Sequence, residues 1–325
     1  MSAFYHRSVL LHESVEALAI RPGGLYVDGT AGGGGHSSAI AERLQTGKLF
    51  AFDADPDAIH AAGERLQPYG ERVQLVQANF RTMKSVLSAK GISLVDGILL
   101  DLGVSSHQFD TASRGFSYHM DAPLDMRMSQ KGPDAQDLLK TVTYAELVRI
   151  LREYGEERYA PRIASKIVKR RDTKPITTTL ELAELVKEAY PAPARRNGHP
   201  ARKTFQALRI AVNGELQALS EFLDEALSLL RPGGRLCIIT FHSLEDRMVK
   251  QRFLEWAQGC ICPPDFPVCI CGRKPRIHIP YRKGILPSKE ELEENARSRS
   301  ARLRVAEKIP PAPESATEKP DSRAY

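Results

Sequence analysis

The 325-residue sequence contains no long apolar run and has only one tryptophan and five cysteines. No segment approaches the roughly 18 consecutive apolar residues that a membrane helix needs. Residues 1–8 also lack the apolar centre of a secretory signal. We therefore expect a cytoplasmic chain that does not associate with membranes. The hydrophobic content of 42% is enough for a globular core, and the length suggests two lobes.

Four of the five cysteines lie close together near the end of the chain, in the segment C-I-C-P-P-D-F-P-V-C-I-C. These four, Cys260, Cys262, Cys269 and Cys271, form two C-x-C pairs that could bind zinc tetrahedrally. The C-x-x-C spacing of ordinary zinc knuckles is missing, so we favour unmetallated thiols and assign no metal ligands. Nothing in the sequence indicates a catalytic metal.

A glycine-rich turn at residues 25–38, L-Y-V-D-G-T-A-G-G-G-G-H-S-S, lacks the last residue of a dinucleotide fingerprint. The pattern G-x-G-x-x-G would end at Ser37 if it began at Gly32, and at Ser38 if it began at Gly33. The apolar strand, the turn and the following helix start are nevertheless typical of a nucleotide-type pocket.

S-adenosylmethionine requires less of such a turn, because it has no pyrophosphate. It needs a glycine turn near its methionine part and an acid at the end of the second strand for the ribose hydroxyls. The strand K-L-F-A-F-D ends in Asp53, 21 residues after Gly32. This spacing favours a nucleoside cofactor, and a glycine-rich surface turn is the alternative.

Strands and helices alternate four times in the first hundred residues, which predicts an α/β fold with a parallel, doubly wound sheet. The four strands end at or just before Asp28, Asp53, Phe80 and Asp101. Because the carboxyl ends of parallel strands share one edge of the sheet, we expect these side chains to converge on one crevice. After Asp101 the pattern turns helical, and an apolar strand at 236–241 resumes the sheet behind one long helix, residues 205–230.

Positive charge is concentrated in two tracts. The whole chain carries a net charge of +6, whereas residues 158–209 contain 13 Lys/Arg against 4 Asp/Glu. Residues 273–304 contain 10 against 4. Two basic tracts beside a cofactor crevice favour a nucleic-acid substrate, and solvated helix faces are the alternative.

Several stretches of the chain resemble the bacterial small-subunit ribosomal RNA methyltransferases that modify the exocyclic amine of a cytidine. They span about residues 6–307 and comprise H-R-S-V-L-L-H-E-S-V, D-G-T-A-G-G-G-G-H-S, D-G-I-L-L-D-L-G-V-S-S, R-G-F-S, P-L-D-M-R-M, L-R-P-G-G-R-L, F-H-S-L-E-D and N-A-R-S-R-S-A-R-L-R. The most specific are D-L-G-V-S-S and P-L-D-M-R-M.

This resemblance implies a class I (Rossmann-like) S-adenosylmethionine-dependent methyltransferase with an inserted helical domain. It would act on the N4 amine of a cytidine in 16S ribosomal RNA. Its partner would be ribosomal RNA or the small ribosomal subunit, and we predict no protein partner. Where the sheet pattern breaks and resumes, it divides the chain into a methyltransferase domain at 1–112 and 205–308 and a helical insertion at 113–204, the expected substrate-binding domain. Residues 309–325 are rich in Pro, Glu, Ser and Ala, which predicts a disordered tail.

The resemblance also implies a set of cofactor contacts: Gly34, Gly35, His36, Asp53, Phe80, Asp101 and Gln108. From their chemistry, the backbone of residues 34–36 would face the methionine carboxylate, Asp53 would accept the ribose hydroxyls and Phe80 would lie on the adenine. Two of these residues have ordinary alternatives, His36 as a cap at the helix start and Gln108 as a polar group of a loop.

The residues that act on the target amine are left open, and we assign no catalytic residue. Many amine methyltransferases have an aromatic residue after the acid at this strand end, but residues 101–105, D-L-G-V-S, contain none. Phe116 or Tyr118 could supply the ring, although Phe116 could equally belong to the core. Asp101 could contact the cofactor, the amine or both.

Three other classes of function compete with this interpretation. The incomplete glycine pattern and the basic tracts disfavour a nicotinamide oxidoreductase. The intact Asp53 and Asp101 disfavour an RNA-binding protein with a relic pocket, and the basic insertion disfavours a methyltransferase of proteins or small molecules. A methyltransferase that acts on another RNA or on DNA remains the main alternative.

Overall fold

The computed structural model describes residues 8–196, 199–263 and 270–310. Within them the chain forms one seven-stranded sheet with flanking helices, and a group of helices between the fourth and fifth strands. In this part of the chain no helix combines the length and apolar character needed to span a bilayer. The predicted tail, apart from residues 309 and 310, lies outside the described residues.

The first part of the chain alternates between helix and strand as predicted. Its elements are α1 (Leu11–Ala17), β1 (Leu25–Asp28), α2 (Gly35–Ala41), β2 (Lys48–Asp53), α3 (Pro56–Leu66), β3 (Val73–Gln77), α4 (Met83–Ala89), β4 (Val95–Asp101) and α5 (Ser106–Asp110). Asp55 caps α3 by accepting the Asp57 N–H, and Pro56 follows at the first position of the helix.

Five helices follow: α6 (Ala135–Thr141), α7 (Tyr144–Glu153), α8 (Ala160–Arg171), α9 (Thr179–Ala189) and α10 (Ala201–Asn213). Thr143 and Thr178 cap α7 and α9 by accepting the N–H groups of Glu146 and Glu181. The five helices enclose an apolar core of their own, to which Leu147, Ile163 and Phe205 belong. Residues 205–213 thus pack with the inserted helices.

The chain then returns to the sheet through α11 (Glu215–Leu229), β5 (Leu230–Thr240), α12 (Ser243–Ala257), β6 (Ile277–His278), α13 (Lys289–Glu294) and β7 (Arg302–Lys308). The single helix expected at residues 205–230 was wrong, because α10 and α11 are separate. Gly214 joins them with a φ of 58°, a left-handed conformation that ends a helix.

The strand order is β3-β2-β1-β4-β5-β7-β6. The first five strands pair in parallel, whereas β7 runs antiparallel to β5 and β6. The order reverses at β1, between β2 and β4, and ligands bind outside the carboxyl ends of strands at such a switch point. The α/β prediction is therefore confirmed.

Alternating residues of each strand bury opposite faces of the sheet. Along β4, Ile98 and Leu100 belong to a core that contains residues of α4, α11 and α12, whereas Leu99 packs with residues of α1 and α2. Both faces are covered, which explains why β4 is apolar throughout rather than alternating. The helices thus cover the two faces of the sheet and leave the ends of its strands accessible.

Candidate active site

A cavity of about 280 Å³ opens at the carboxyl ends of β1, β2, β4 and β5, near the lower end of the usual volume of cofactor sites. The strand ends form one side of this crevice, and residues of the insertion around Met128, together with Asn213 at the end of α10, form another. Five of the predicted residues line it: His36, Asp53, Phe80, Asp101 and Gln108.

The remaining two predicted residues, Gly34 and Gly35, are not part of the crevice wall, which Gly32 lines instead. The Gly34 N–H donates to the Ala31 carbonyl at 2.8 Å, within the turn itself. A Cβ added to Gly35 would lie 2.0 Å from the Ser8 hydroxyl, so this glycine allows close packing. Contact of Gly34 and Gly35 with a cofactor therefore remains a prediction.

Asp53 is fixed in place at the end of β2. Its two carboxylate oxygens accept the backbone N–H groups of Gly32 and Asp55 at 2.8 and 2.9 Å. Burial raises the pKa of Asp53 to about 6, against these hydrogen bonds. The carboxylate retains further lone pairs, so it can accept two hydroxyl donors.

Asp28, at the end of β1, has a structural role. It is fully buried and accepts the Ser37 hydroxyl at 2.6 Å and the Thr30 N–H at 3.1 Å. The Thr30 hydroxyl in turn accepts the Asp101 N–H at 2.6 Å. Burial raises the pKa of Asp28 to about 6. This network joins the ends of β1 and β4 beneath the crevice.

His36 and Asp101 face each other at the base of the crevice. His36 Nε2 lies 3.1 Å from the Val9 carbonyl, to which it must donate, because a carbonyl can only accept. Its Nδ1 lies 3.6 Å from Asp101 Oδ2. Burial lowers the pKa of His36 to about 4, so the ring is neutral and its contact with Asp101 is not an ion pair.

Asp101 has an unusual environment for a carboxyl group. Burial, followed by the negative charges of Asp28, Glu245 and Glu291, raises the pKa of Asp101 well above its ordinary value. Its Oδ1 atom is buried and has no hydrogen-bond partner within the described residues. A polar atom in this state is costly unless a ligand pairs with it.

The loop after Asp101 is held by a second buried acid, Asp55. Gln108 forms a capping box with Ser105 and donates from Nε2 to Asp55 at 2.7 Å. Arg114 and Gln130 donate to the same carboxylate at 2.8 and 3.0 Å. Burial opposes its charge, but these donors outweigh burial and lower the pKa of Asp55. Gln108 thus positions the loop as well as lining the crevice.

Neither Phe116 nor Tyr118, the two residues that could have supplied the missing ring, lines the crevice. Phe116 is buried in the core of the inserted helices, and Tyr118 stacks on His199 at 4.4 Å between ring centroids. Phe241, directly after β5, does line the crevice, and a Cβ on Gly103 would be 3.6 Å from its ring. Sequence reasoning missed Phe241, although its place at a strand end was a signal.

The fold and the crevice define a class I methyltransferase. In the sheet, β7 lies antiparallel beside β5, and acids at the strand ends line the crevice. The chain belongs to the MraW methylase family, whose model matches residues 3–309.

Two relatives named ribosomal RNA small subunit methyltransferase H are each 55% identical to this chain over 310 residues. The protein from Symbiobacterium thermophilum aligns over 94% of this chain and 98% of its own length. The protein from Heliobacterium modesticaldum aligns over 94% and 99%. A crystal structure of a putative rRNA-methylase from Clostridium thermocellum matches 94% of this chain and 100% of that chain, at 13% identity and a TM-score of 0.43. This structural similarity is too low to add to the assignment.

Proposed function

We propose that this chain transfers a methyl group from S-adenosylmethionine to the exocyclic N4 amine of a cytidine in small-subunit (16S) ribosomal RNA. The observation that supports this most is Asp101, whose buried Oδ1 atom lines the crevice without a partner in the described residues. The names of the relatives supply the class of substrate.

The crevice fits the methyl donor. S-adenosylmethionine, when bound, supplies a methyl carbon made electrophilic by the attached sulfonium. Asp53 would accept the ribose hydroxyls, because its oxygens are already oriented by backbone donors. Phe80 would lie on the adenine, since its ring is held edge-on against Phe222 at 5.8 Å between centroids. Gly32, His36 and Gln108 would complete the wall of the site.

Asp101 would act on the target amine. The amine of cytosine is a poor nucleophile because its lone pair is delocalised into the ring. A carboxylate that accepts one of its N–H bonds would orient the nitrogen and stabilise the positive charge that it gains during transfer. Neutral His36 adds no competing positive charge beside Asp101. We propose that Phe241 stacks on the cytosine, in place of the missing aromatic of the 101–105 loop.

The inserted helices would hold the RNA. We propose residues 113–204 as the core of a substrate-binding domain, with α10 as its link to the crevice. Exposed Arg202 and Lys203 lie at the start of α10, and Asn213 at its end lines the crevice. Ten residues of helix span about 15 Å, so these cations would meet nucleotides that flank the target.

We propose the cytoplasm, where ribosomal subunits are found, as the location of this protein.

Gene deletion followed by mass spectrometry of ribosomal RNA nucleosides and fragments tests this function. We expect a single N4-methylcytidine position of 16S RNA to lose this methyl group, and a plasmid copy of this chain to restore it. A plasmid copy with Asp101→Asn should restore little of it. Unchanged 16S RNA together with a methyl group lost from another RNA or from DNA would support the alternative substrate instead.

A further inference from the structure

A group of cysteines that do not line the crevice lies in the connection between α12 and β6. The sulfur atoms of Cys260, Cys262 and Cys271 all lie within 4.8 Å of one another. The sulfurs of Cys260 and Cys271 are 3.7 Å apart. The methyl-transfer proposal makes no use of these residues.

The separation of these sulfurs fits a tetrahedral metal site. With zinc–sulfur bonds of about 2.3 Å, two sulfurs of a tetrahedron are about 3.8 Å apart. A disulfide would require a sulfur–sulfur bond of about 2.05 Å. The 3.7 Å between the sulfurs of Cys260 and Cys271 is therefore the length of one tetrahedral edge, and the sulfur of Cys262 lies within 4.8 Å of both.

Backbone donors point at two of the sulfurs. The Ile261 N–H donates to Cys271 Sγ at 3.5 Å, and the Cys262 N–H donates to Cys260 Sγ at 3.4 Å. Hydrogen bonds of this kind favour the thiolate, which is the form that binds metals. Two cationic residues, Arg273 and Lys274, follow Cys271 after Gly272.

We propose that Cys260, Cys262 and Cys271 bind one zinc ion as a structural site. Thiolates select soft or borderline ions, and a site closed by cysteines is typical of structural zinc. This replaces the expectation of unmetallated thiols. Cys269, the fourth cysteine of the motif, lies outside the described residues, and the proposal rests on the other three.

The ion would fix the connection that leaves α12. The Arg276 N–H donates to the Trp256 carbonyl at 2.8 Å, and Arg273 donates to the Glu255 carbonyl at 2.8 Å. The two ends of the connection are therefore already joined at the last turn of α12. A metal between Cys260 and Cys271 would join this connection at a further point.

Metal analysis of the full chain, purified untagged and without chelators, tests the proposal. We expect about one zinc per chain by plasma mass spectrometry, and less than about 0.2 in Cys260→Ser or Cys271→Ser. Cys237→Ala removes the buried cysteine of β5 and should keep its zinc. Melting curves and S-adenosylmethionine binding of each variant will show that the serine variants are folded.

A second measurement needs no variant. Exchange of the ion for cobalt in the wild-type chain should give sulfur-to-cobalt charge transfer and the intense visible bands of a tetrahedral site. Removal of the ion should change the emission of Trp256, the only tryptophan, four residues before Cys260. Wild-type protein that contains no zinc and takes up neither ion, with its thiols titrating freely or joined in a disulfide, would overturn the proposal.

Discussion

At the scale of single residues, His36 and Asp101 set the charge at the base of the crevice. His36 is kept neutral by burial, and burial together with the negative charges of Asp28, Glu245 and Glu291 raises the pKa of Asp101. This arrangement makes ionisation of Asp101 costly in the free protein. A cationic ligand would reverse that cost, since an opposite charge nearby favours the charged carboxylate. S-adenosylmethionine carries such a charge on sulfur, and S-adenosylhomocysteine does not.

We therefore predict that binding of S-adenosylmethionine releases more protons than binding of S-adenosylhomocysteine. The sulfonium lowers the pKa of Asp101. The affinity for S-adenosylmethionine therefore rises with pH until the pH exceeds the raised pKa that Asp101 has in the free protein. Ionisation of Asp53, with a pKa of about 6, contributes equally for both ligands because both carry the ribose. Calorimetry in buffers of different ionisation enthalpy measures the released protons.

Asp101→Asn is the control for this experiment, because it removes the titrating group and keeps its size. It should make proton release equal for the two ligands. Equal release in the wild-type chain would mean that Asp101 does not sense the charge on sulfur.

For Phe241 we predict a role in binding the target base. Stacking of a base on an aromatic ring is worth about 1–3 kcal/mol, so Phe241→Leu should lower kcat/KM for the ribosomal substrate by about tenfold. Phe241→Tyr keeps a ring and should remain close to wild type. Cofactor affinity, measured separately by calorimetry, should be the same in both variants. A leucine variant as active as the tyrosine variant would exclude stacking at this position.

At the scale of secondary structure, the join between α10 and α11 matters because α10 belongs to the insertion and α11 to the sheet. Gly214 makes this join in a left-handed conformation, and Arg209 pairs with Glu215 across it at 2.9 and 3.0 Å. Glu215 and Asn213 both line the crevice. The join thus sets the position of one wall of the site.

We predict that Gly214→Ala destabilises the chain by roughly 1 kcal/mol, the usual cost of a left-handed conformation for a residue with a Cβ. Gly63→Ala is the matched control. Gly63 lies inside α3, where a Cβ would meet Leu75 at an ordinary 3.4 Å. Alanine there should be neutral or stabilising by up to about 1 kcal/mol. Urea midpoints compare the two, and equal shifts would contradict the explanation.

The secondary structure was predictable where one local signal dominates. Buried parallel strands such as β4 have unbroken apolar runs, and a cap such as Asp55 precedes a proline at the start of its helix. Gly214 was missed because a single glycine does not interrupt an apolar helical pattern. The strands β6 and β7 were missed because β6 has two residues and β7, R-L-R-V-A-E-K, carries charge along its length.

Only part of the candidate site was predictable from the sequence. The positions of Asp53 and Asp101 follow from the rule that strand ends meet, and the same rule would have included Phe241. The contacts of His36 with Val9 and of Gln108 with Asp55 join residues far apart in sequence. Spacing contains no information about such pairs, because they depend on how the loops pack.

At the scale of the whole molecule, α10 extends from a positively charged surface to the crevice. Arg195 and Arg202 are exposed near the start of this helix. Lys48, which begins β2, and Lys90, which precedes β4, lie at the opposite edge of the sheet and are also exposed. The two pairs have the same charge and differ in which edge of the sheet they flank.

We predict that reversing Arg195 and Arg202 to Glu weakens RNA binding and flattens its dependence on salt. Each lost phosphate contact reduces the slope of log K against log salt by about 0.7 for a single strand, so two lost contacts reduce it by about 1.4. Reversing Lys48 and Lys90 should leave the slope unchanged, and neither pair should alter cofactor affinity. If both reversals had the same effect, only the net charge of the chain would matter.

We propose that methyl transfer takes place beside Asp101, which accepts an N–H of the target cytidine. Single-turnover methylation of small ribosomal subunits with saturating S-adenosylmethionine tests it most directly. Asp101→Asn keeps one acceptor oxygen and removes the charge, which should slow transfer by roughly a hundredfold, or about 3 kcal/mol of barrier. Asp224→Asn, an exposed acid of α11 paired with Arg252, should react at the wild-type rate. An Asp101→Asn rate within about threefold of wild type would contradict the claim and leave Asp101 as a binding residue only.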